Sequence, residues 1–231
     1  MAANPSTPNS PDNNTEEAKQ KRNRSERKAN MSEAPYIHPT AVVDEGAILE
    51  DGVKAWHFCH VMTGTRLGKG TSLGQNTFVA SGVTTGSNCK VQNNVSLYQG
   101  VTLGDEVFLG PSCVFTNVIN PRSKVVRRDA YAPTHIADGA SVGANATILC
   151  GITVGKHAFI GAGAVVLRSV PDFAIMVGNP AVQNGWMSPH GCRLSFEEGG
   201  NNLSVAVCEE SGEKFSLKVD SEGREFVEQI S

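Results

Sequence analysis

The sequence predicts an all-β fold, a parallel β-helix of about seven triangular coils. Three observations predict it. A period of six governs residues 37 to about 171, large apolar residues at its first position alternate with small ones at its fifth, and Gly or Asn recurs at its fourth. That period matches neither the 3.6 residues of a helical turn nor the two of a simple strand.

Each position has a physical reason. Position one, from Ile37 to Leu109 and again from Ile136 to Val166, is Val, Ile or Leu except at Ala55 and Thr85, so it fills the interior. Position five is Ala, Val, Thr or Cys in every unit but the one holding Ile152, so it packs where space is tight. Position four turns the chain through a conformation that Gly and Asn tolerate best. Three units close a coil of eighteen residues, and each coil covers the apolar edge of the last, as in other solenoids. With 24 glycines and only 6% aromatic residues, the core must be filled mainly by small aliphatic and β-branched side chains.

The repeat is broken once, by the insertion TNVINPRSKVVRRDAYAPTH at residues 116–135. Long loops in a compact solenoid are usually functional. Residues 1–34, rich in Pro, Asn, Ser, Glu and Lys, form an expected disordered tail. Residues 35–187 are the expected β-helix, and 188–231 an expected hairpin or meander over its end.

Composition excludes several classes. A net charge of -3 without a dominant basic face argues against nucleic acid as partner. No stretch approaches the roughly 18 apolar residues of a membrane span. The six cysteines form no CxxC pair and no secretory signal precedes them, so reduced thiols in a cytoplasm are expected.

Residues eighteen apart stack on one edge of such a rod. His57, Gln75, Asn93 and Pro111 form one line. If the insertion leaves from a corner and the chain re-enters on the next face, Ala144 and Ala162 continue it, beside Gly143 and Gly161. The edge is then polar below and bare above. A bare edge lets a long thin ligand such as the pantetheine arm of coenzyme A approach backbone amides; equally, small residues satisfy the turns.

Trp56-His57-Phe58 places three rings where Gly and Asn normally turn the chain, and His60 follows. Either histidine could contact substrate or move a proton, or the group could be a packed corner. A third histidine in a suitable place is missing, so no metal is expected. Asn94 occupies a turn slot. Asn93 does not, and its amide can donate to a developing oxyanion or accept from an amine. Tyr98, one coil before the insertion, could line a nucleotide pocket or simply be surface. The insertion carries Arg122, Lys124, Arg127 and Arg128 after Asn117 and Asn120, a set suited to a diphosphate, a sugar carboxylate or the phosphates of coenzyme A, with a solvated loop as the competing reading.

The segments IHPTAVVDEGA, WHFCHV, LGQNTFV, VQNNVSLY, FTNVINPR, ILCGITVG, GAGAVV and VGNPA, followed by GWM, resemble the bacterial UDP-2-acetamido-3-amino-2,3-dideoxyglucuronate N-acetyltransferases over residues 37–187. This resemblance implies a left-handed coil and acetyl transfer from acetyl-CoA to the 3-amine of a UDP-linked sugar uronate. It also implies a homotrimer with sites between subunits, serving surface-polysaccharide synthesis. By motif, Asn93 and Asn94 orient the reacting centre while the loop asparagines and arginines hold the sugar nucleotide. Gly143, Ala144, Gly161, Ala162, Asn179 and Pro180, with Arg168, flank coenzyme A. Two departures stand out: the N-terminal tail is extra, and of a cysteine-rich ribbon carried by some relatives only His190 and Cys208 remain. Two ligands do not make a structural zinc site. The alternatives are an acetyltransferase for another nucleotide-linked amino sugar, such as a TDP-linked 3-amino-deoxyhexose, and a non-catalytic scaffold.

Overall fold

A computed structural model describes residues 33–198 and 204–230. The expectation of a disordered tail falls almost wholly on residues 1–32, outside the described ones. From Tyr36 the chain runs in two- and three-residue strands that stack in parallel on three faces. The first face begins at Tyr36–Ile37, the second at Val42–Val43 and the third at Ile48–Leu49. Their registers, Tyr36 on Lys54, Val42 on His60 and Ile48 on Arg66, are the eighteen-residue coil.

The interior follows from position one. Leu67, Leu73, Leu97, Leu109, Ile136, Ile148 and Ile160 are fully buried. Threonines at position five are buried too, and their hydroxyls are satisfied by neighbouring carbonyls: Thr65 donates to Ala80 O at 3.1 Å and Thr71 to Gly86 O at 3.0 Å. Cys59 and Cys89 make the same move, with Sγ at 3.0 Å from Gly74 O and 3.1 Å from Gly104 O. Burial pushes the Cys113 thiol up to about 12.

Position four turns the chain in the left-handed region, as at Gly46 and Asn94 with φ of 84° and 62°. Phe58 does so as well, with φ of 58°, which is uncommon for a bulky residue. A second glycine column, at position two, has a different cause. A Cβ on Gly74 would stand 2.7 Å from Asn93 N, and one on Gly143 2.5 Å from Ala162 N. These glycines are required because the next coil's backbone passes so close.

The insertion leaves the second face after Val114–Phe115, and the third face resumes at Thr134–Ile136. Its last two residues are thus strand, paired with Val101–Leu103. Ala132 N–H donates to Asn117 O at 3.0 Å and pins the loop's base. Above it the register steps across the loop, with Phe108 on Ser141 and Val114 on Thr147, so no face is lost.

The first face gains an eighth parallel strand, Ala174–Val177, and then turns antiparallel through Val182–Met187 and Arg193–Leu194. Antiparallel structure therefore begins before residue 188, because the chain folds back on the last strand's free edge. Glu197–Glu198, Ser204–Val207, Lys214–Val219 and Glu225–Ile230 form a separate four-stranded antiparallel sheet. The rings of His157, Phe173 and Phe215 link the coil to it, His157 stacked on Phe173 with centroids 5.4 Å apart and Phe173 edge-on to Phe215 at 5.7 Å.

Candidate functional site

The corner between the first and second faces carries one column of residues. Backbone bonds climb it: Asn76 N–H donates to His57 O, Asn94 to Gln75 O, Ser112 to Asn93 O, Asn145 to Pro111 O and Gly163 to Ala144 O, at 2.8–3.1 Å. His57, Gln75, Asn93, Pro111 and Ala144 thus follow one another on one ridge, and a Cβ on Gly143 would meet Ala162 directly above. His57, Gln75 and Asn93 share a hollow of about 330 Å³ with Trp56, Ser72, Gly74 and Gln92.

Side chains fix the chemistry this ridge presents. Gln75 N–H donates to Asn93 Oδ1 at 2.9 Å. A backbone N–H can only donate, so the oxygen of the Asn93 amide is assigned and its NH2 group is left to point away. Asn93 therefore offers a donor, which suits an oxyanion rather than the hydrogens of an amine. Asn94 is bound into the turn, accepting from Asn76 Nδ2 at 3.1 Å. The same coil-to-coil cap recurs on another corner with carboxylates, where Ser87 N–H donates to Asp105 Oδ1 at 2.7 Å and Lys156 N–H to Asp172 Oδ1 at 2.8 Å.

The two histidines are not brought together. His57 stacks on His38 at the corner, with centroids 3.5 Å apart, and His38 hydrogen-bonds Thr40 Oγ1 through Nδ1 at 2.9 Å. Burial, and then the neighbouring His57, hold His38 below the usual histidine range. His60 lies on the second face, its Nε2 3.2 Å from Asp44 Oδ1 and its ring edge-on to Phe78. Phe78 in turn tilts against Tyr98 at 6.3 Å. His38, Thr40 and Asp44 escaped the sequence reading. One signal was available, since each precedes its partner by about one coil.

The loop candidates sit at the next corner, across the second face. Asn117 is half-buried; Asn120 and Arg122 are exposed. Arg122 reaches only its neighbour's carbonyl, Pro121 O, at 3.0 Å. The Nε of Arg127 is buried and has no partner among the described residues. Ile119, Val125 and Val126 of this loop are exposed beside these cations.

At the upper end, Val165 N–H donates to Gly178 O and Ala181 N–H to Val165 O, which lays Asn179 and Pro180 beside the second face. Arg168 and Pro180 line one hollow of about 490 Å³ with Leu167, Met176 and Val182. Gly143, Ala144, Gly161 and Ala162 belong to the ridge instead. Among the described residues no three His, Cys, Asp or Glu side chains stand close enough to hold a metal ion.

Two family models match parts of this chain: bacterial transferase hexapeptide (six repeats) over residues 133–168, and hexapeptide repeat of succinyl-transferase over residues 64–99. The chain is 38% identical over 80 residues to dTDP-3-amino-3,6-dideoxy-alpha-D-galactopyranose 3-N-acetyltransferase of Aneurinibacillus thermoaerophilus, a stretch covering 35% of this chain and 40% of that one. It is 41% identical over 75 residues to 2,3,4,5-tetrahydropyridine-2,6-dicarboxylate N-acetyltransferase of Staphylococcus aureus (strain JH9), covering 32% of this chain and 28% of the relative. The matched stretch thus spans less than half the length of either curated relative. The acetyltransferase domain of PglB from Neisseria gonorrhoeae FA1090 shares the fold at a TM-score of 0.50 and 20% identity, over 73% of this chain and 66% of that one. With six-residue units matched on both sides of the insertion and three of them closing every coil, the chain is similar to hexapeptide-repeat proteins in both sequence and fold.

Proposed function

We propose that this protein is an N-acetyltransferase that moves acetyl from acetyl-CoA to an amino group of a nucleotide-linked amino sugar. The observation that carries the reading is the ridge: an outward amide donor at Asn93, a polar hollow below it and a small-residue edge above it. The 38% identical stretch of a dTDP-amino-sugar 3-N-acetyltransferase supports the same chemistry. The resemblance to the glucuronate enzymes, together with Arg122 and Arg127, favours the UDP-linked 2-acetamido-3-amino-2,3-dideoxyglucuronate as substrate.

The chain's residues would act chiefly by positioning. The sugar amine would attack the thioester carbonyl, the charge that gathers on its oxygen would be met by Asn93 Nδ2, and collapse of that intermediate would break the C–S bond and release coenzyme A as the thiolate. A sugar amine beside electron-withdrawing groups is less basic than lysine, so enough is neutral near pH 7 for attack without a dedicated base. The departing thiolate, or His57 on the same ridge, would take the amine's proton. Tyr98, Asn117, Asn120, Arg122 and Arg127 lie across the second face from Asn93. In a homotrimer a neighbour's loop would supply them, which suits the exposed Val42, Phe58 and Val114 on and beside that face. Acetyl-CoA would lie along Gly143, Ala144, Gly161 and Ala162 towards Asn179, Pro180 and Arg168.

A second reading, a dTDP-linked 3-amino-deoxyhexose as substrate, is favoured by the Aneurinibacillus relative. A panel of UDP- and dTDP-linked amino sugars with acetyl-CoA, followed by release of the coenzyme A thiol, decides between them. Turnover chiefly with the UDP uronate is expected. Preference for the dTDP sugar would support the second reading, and no turnover with any amino sugar would leave a non-catalytic scaffold.

A further inference from the structure

Beside the Asn93 ridge, the first face presents two cations in one outward column. Strand pairing sets Lys54 on one side of Ser72 and Lys90 on the other. Their neighbours Ala55, Leu73 and Val91 point into the core and are buried, so alternation carries both ammonium groups outward, and both lysines are exposed. Neither takes part in an ion pair among the described residues. With strands about 4.8 Å apart, the two lysine Cα atoms are separated by about 10 Å, and the short Ser72 side chain is the floor between them. The rest of the column is uncharged: Tyr36 precedes the lysines, and Phe108, Ser141 and Phe159 follow.

Between this column and the ridge stands Trp56. Its Nε1–H donates to Ser72 Oγ at 3.3 Å, and the Tyr36 ring packs on it with centroids 5.3 Å apart. Two contacts thus hold the indole, yet Trp56 is 40% exposed and lines the hollow that holds Gln92 and Asn93. One coil above, its place is taken by Gly74, which puts no side chain between Trp56 and Gln92. Lys90 lies three residues before Asn93, about 10 Å of extended chain. A sugar whose 3-amine meets Asn93 carries its anomeric phosphate two ring carbons away, so that phosphate leaves the hollow over the lysines.

We propose that Lys54 and Lys90 form the diphosphate subsite for the sugar nucleotide, with the Trp56 indole as the wall on which the sugar ring lies. This rests on the sugar-nucleotide chemistry proposed above and divides the ligand's anions between two sets of cations. The lysines, flexible point charges on one face, close on the two phosphates from either side of Ser72. The arginines of the insertion, whose planar groups can grip a carboxylate with two parallel hydrogen bonds, are left for the uronate carboxylate. The nucleotide is then held by the same chain that supplies Asn93.

Calorimetric titration of the full chain with UDP-N-acetylglucosamine tests this, because the probe has the sugar and the diphosphate but no free amine; dTDP-glucose serves as a second probe. Lys54→Gln/Lys90→Gln is expected to weaken the probe by about tenfold or more, and Lys54→Arg/Lys90→Arg, which keeps the charge, to restore most of the affinity. Affinity for coenzyme A should be the same in all three proteins, and so should the melting temperature, since both lysines are exposed. Probe binding should also change the emission of Trp56, the other tryptophan, Trp186, being buried. Equal probe affinity in wild type and the Gln variant, equal weakening toward coenzyme A, or an unchanged emission would overturn the subsite and leave the sugar-nucleotide chemistry standing. A wild type that binds neither probe would overturn both.

Discussion

Asn93 shows how one side chain serves both the coil and the chemistry proposed for it. Its oxygen caps Gln75 N–H one coil below, so only the NH2 half is available to a ligand. Removing the cap in Asn93→Ala should cost about 0.5–1.5 kcal/mol, the usual net value of a hydrogen bond. Asn93→Asp keeps the acceptor, as Asp105 and Asp172 do on another corner, so its melting temperature should match the wild type. Thermal denaturation of the three proteins checks both. That the ridge carries His57, Gln75 and Asn93 was legible in the sequence, because spacing alone fixes a column in a rod of constant period. Which half of the Asn93 amide faces out was not, since that depends on a backbone N–H eighteen positions earlier.

Strands of two residues hold together here because their corners let coils approach closely, and the position-two glycines set that approach. A Cβ at Gly74 would stand 2.5–2.8 Å from Asn93 and Gln92 atoms, two of them backbone, so the neighbouring coil would have to shift. Gly74→Ala should therefore destabilise by about 1–3 kcal/mol, as overpacking does, and lower activity by displacing Asn93. Gly82→Ala meets nothing within 4 Å and should be limited to the strain of its φ of +75°, leaving activity intact. Denaturant titration with a turnover assay on both separates the two effects. Sequence periodicity found the turn column at position four but not this one, because a glycine needed for closeness looks like a glycine needed for a turn. His57 stays on the ridge while His60, three residues on, stands on the second face, a separation that sequence spacing alone does not show.

At the scale of the molecule, the candidate site is divided. The ridge and the insertion stand at different corners, with the second face between them, and Val42 and Val114 are exposed on that face at 56% and 48%. The homotrimer proposed above would bury this face and bring a neighbour's loop to each ridge. The expected solution mass is three times the 24.5 kDa chain, and Val114→Glu should reduce it to one chain while the coil stays folded, as read by light scattering and circular dichroism. The rod itself was legible because every coil solves the same packing problem with the same letters. The antiparallel fold-back at Val182–Met187 was not, because it repeats nothing.

The most direct test of the proposed chemistry compares coenzyme A thiol release by wild type and Asn93→Asp with acetyl-CoA and the UDP-linked 3-amino uronate. An outward donor at Asn93 predicts a fall in kcat of about 10²–10³, the cost of losing an oxyanion donor, in a variant of unchanged melting temperature. Turnover equal to the wild type would contradict it.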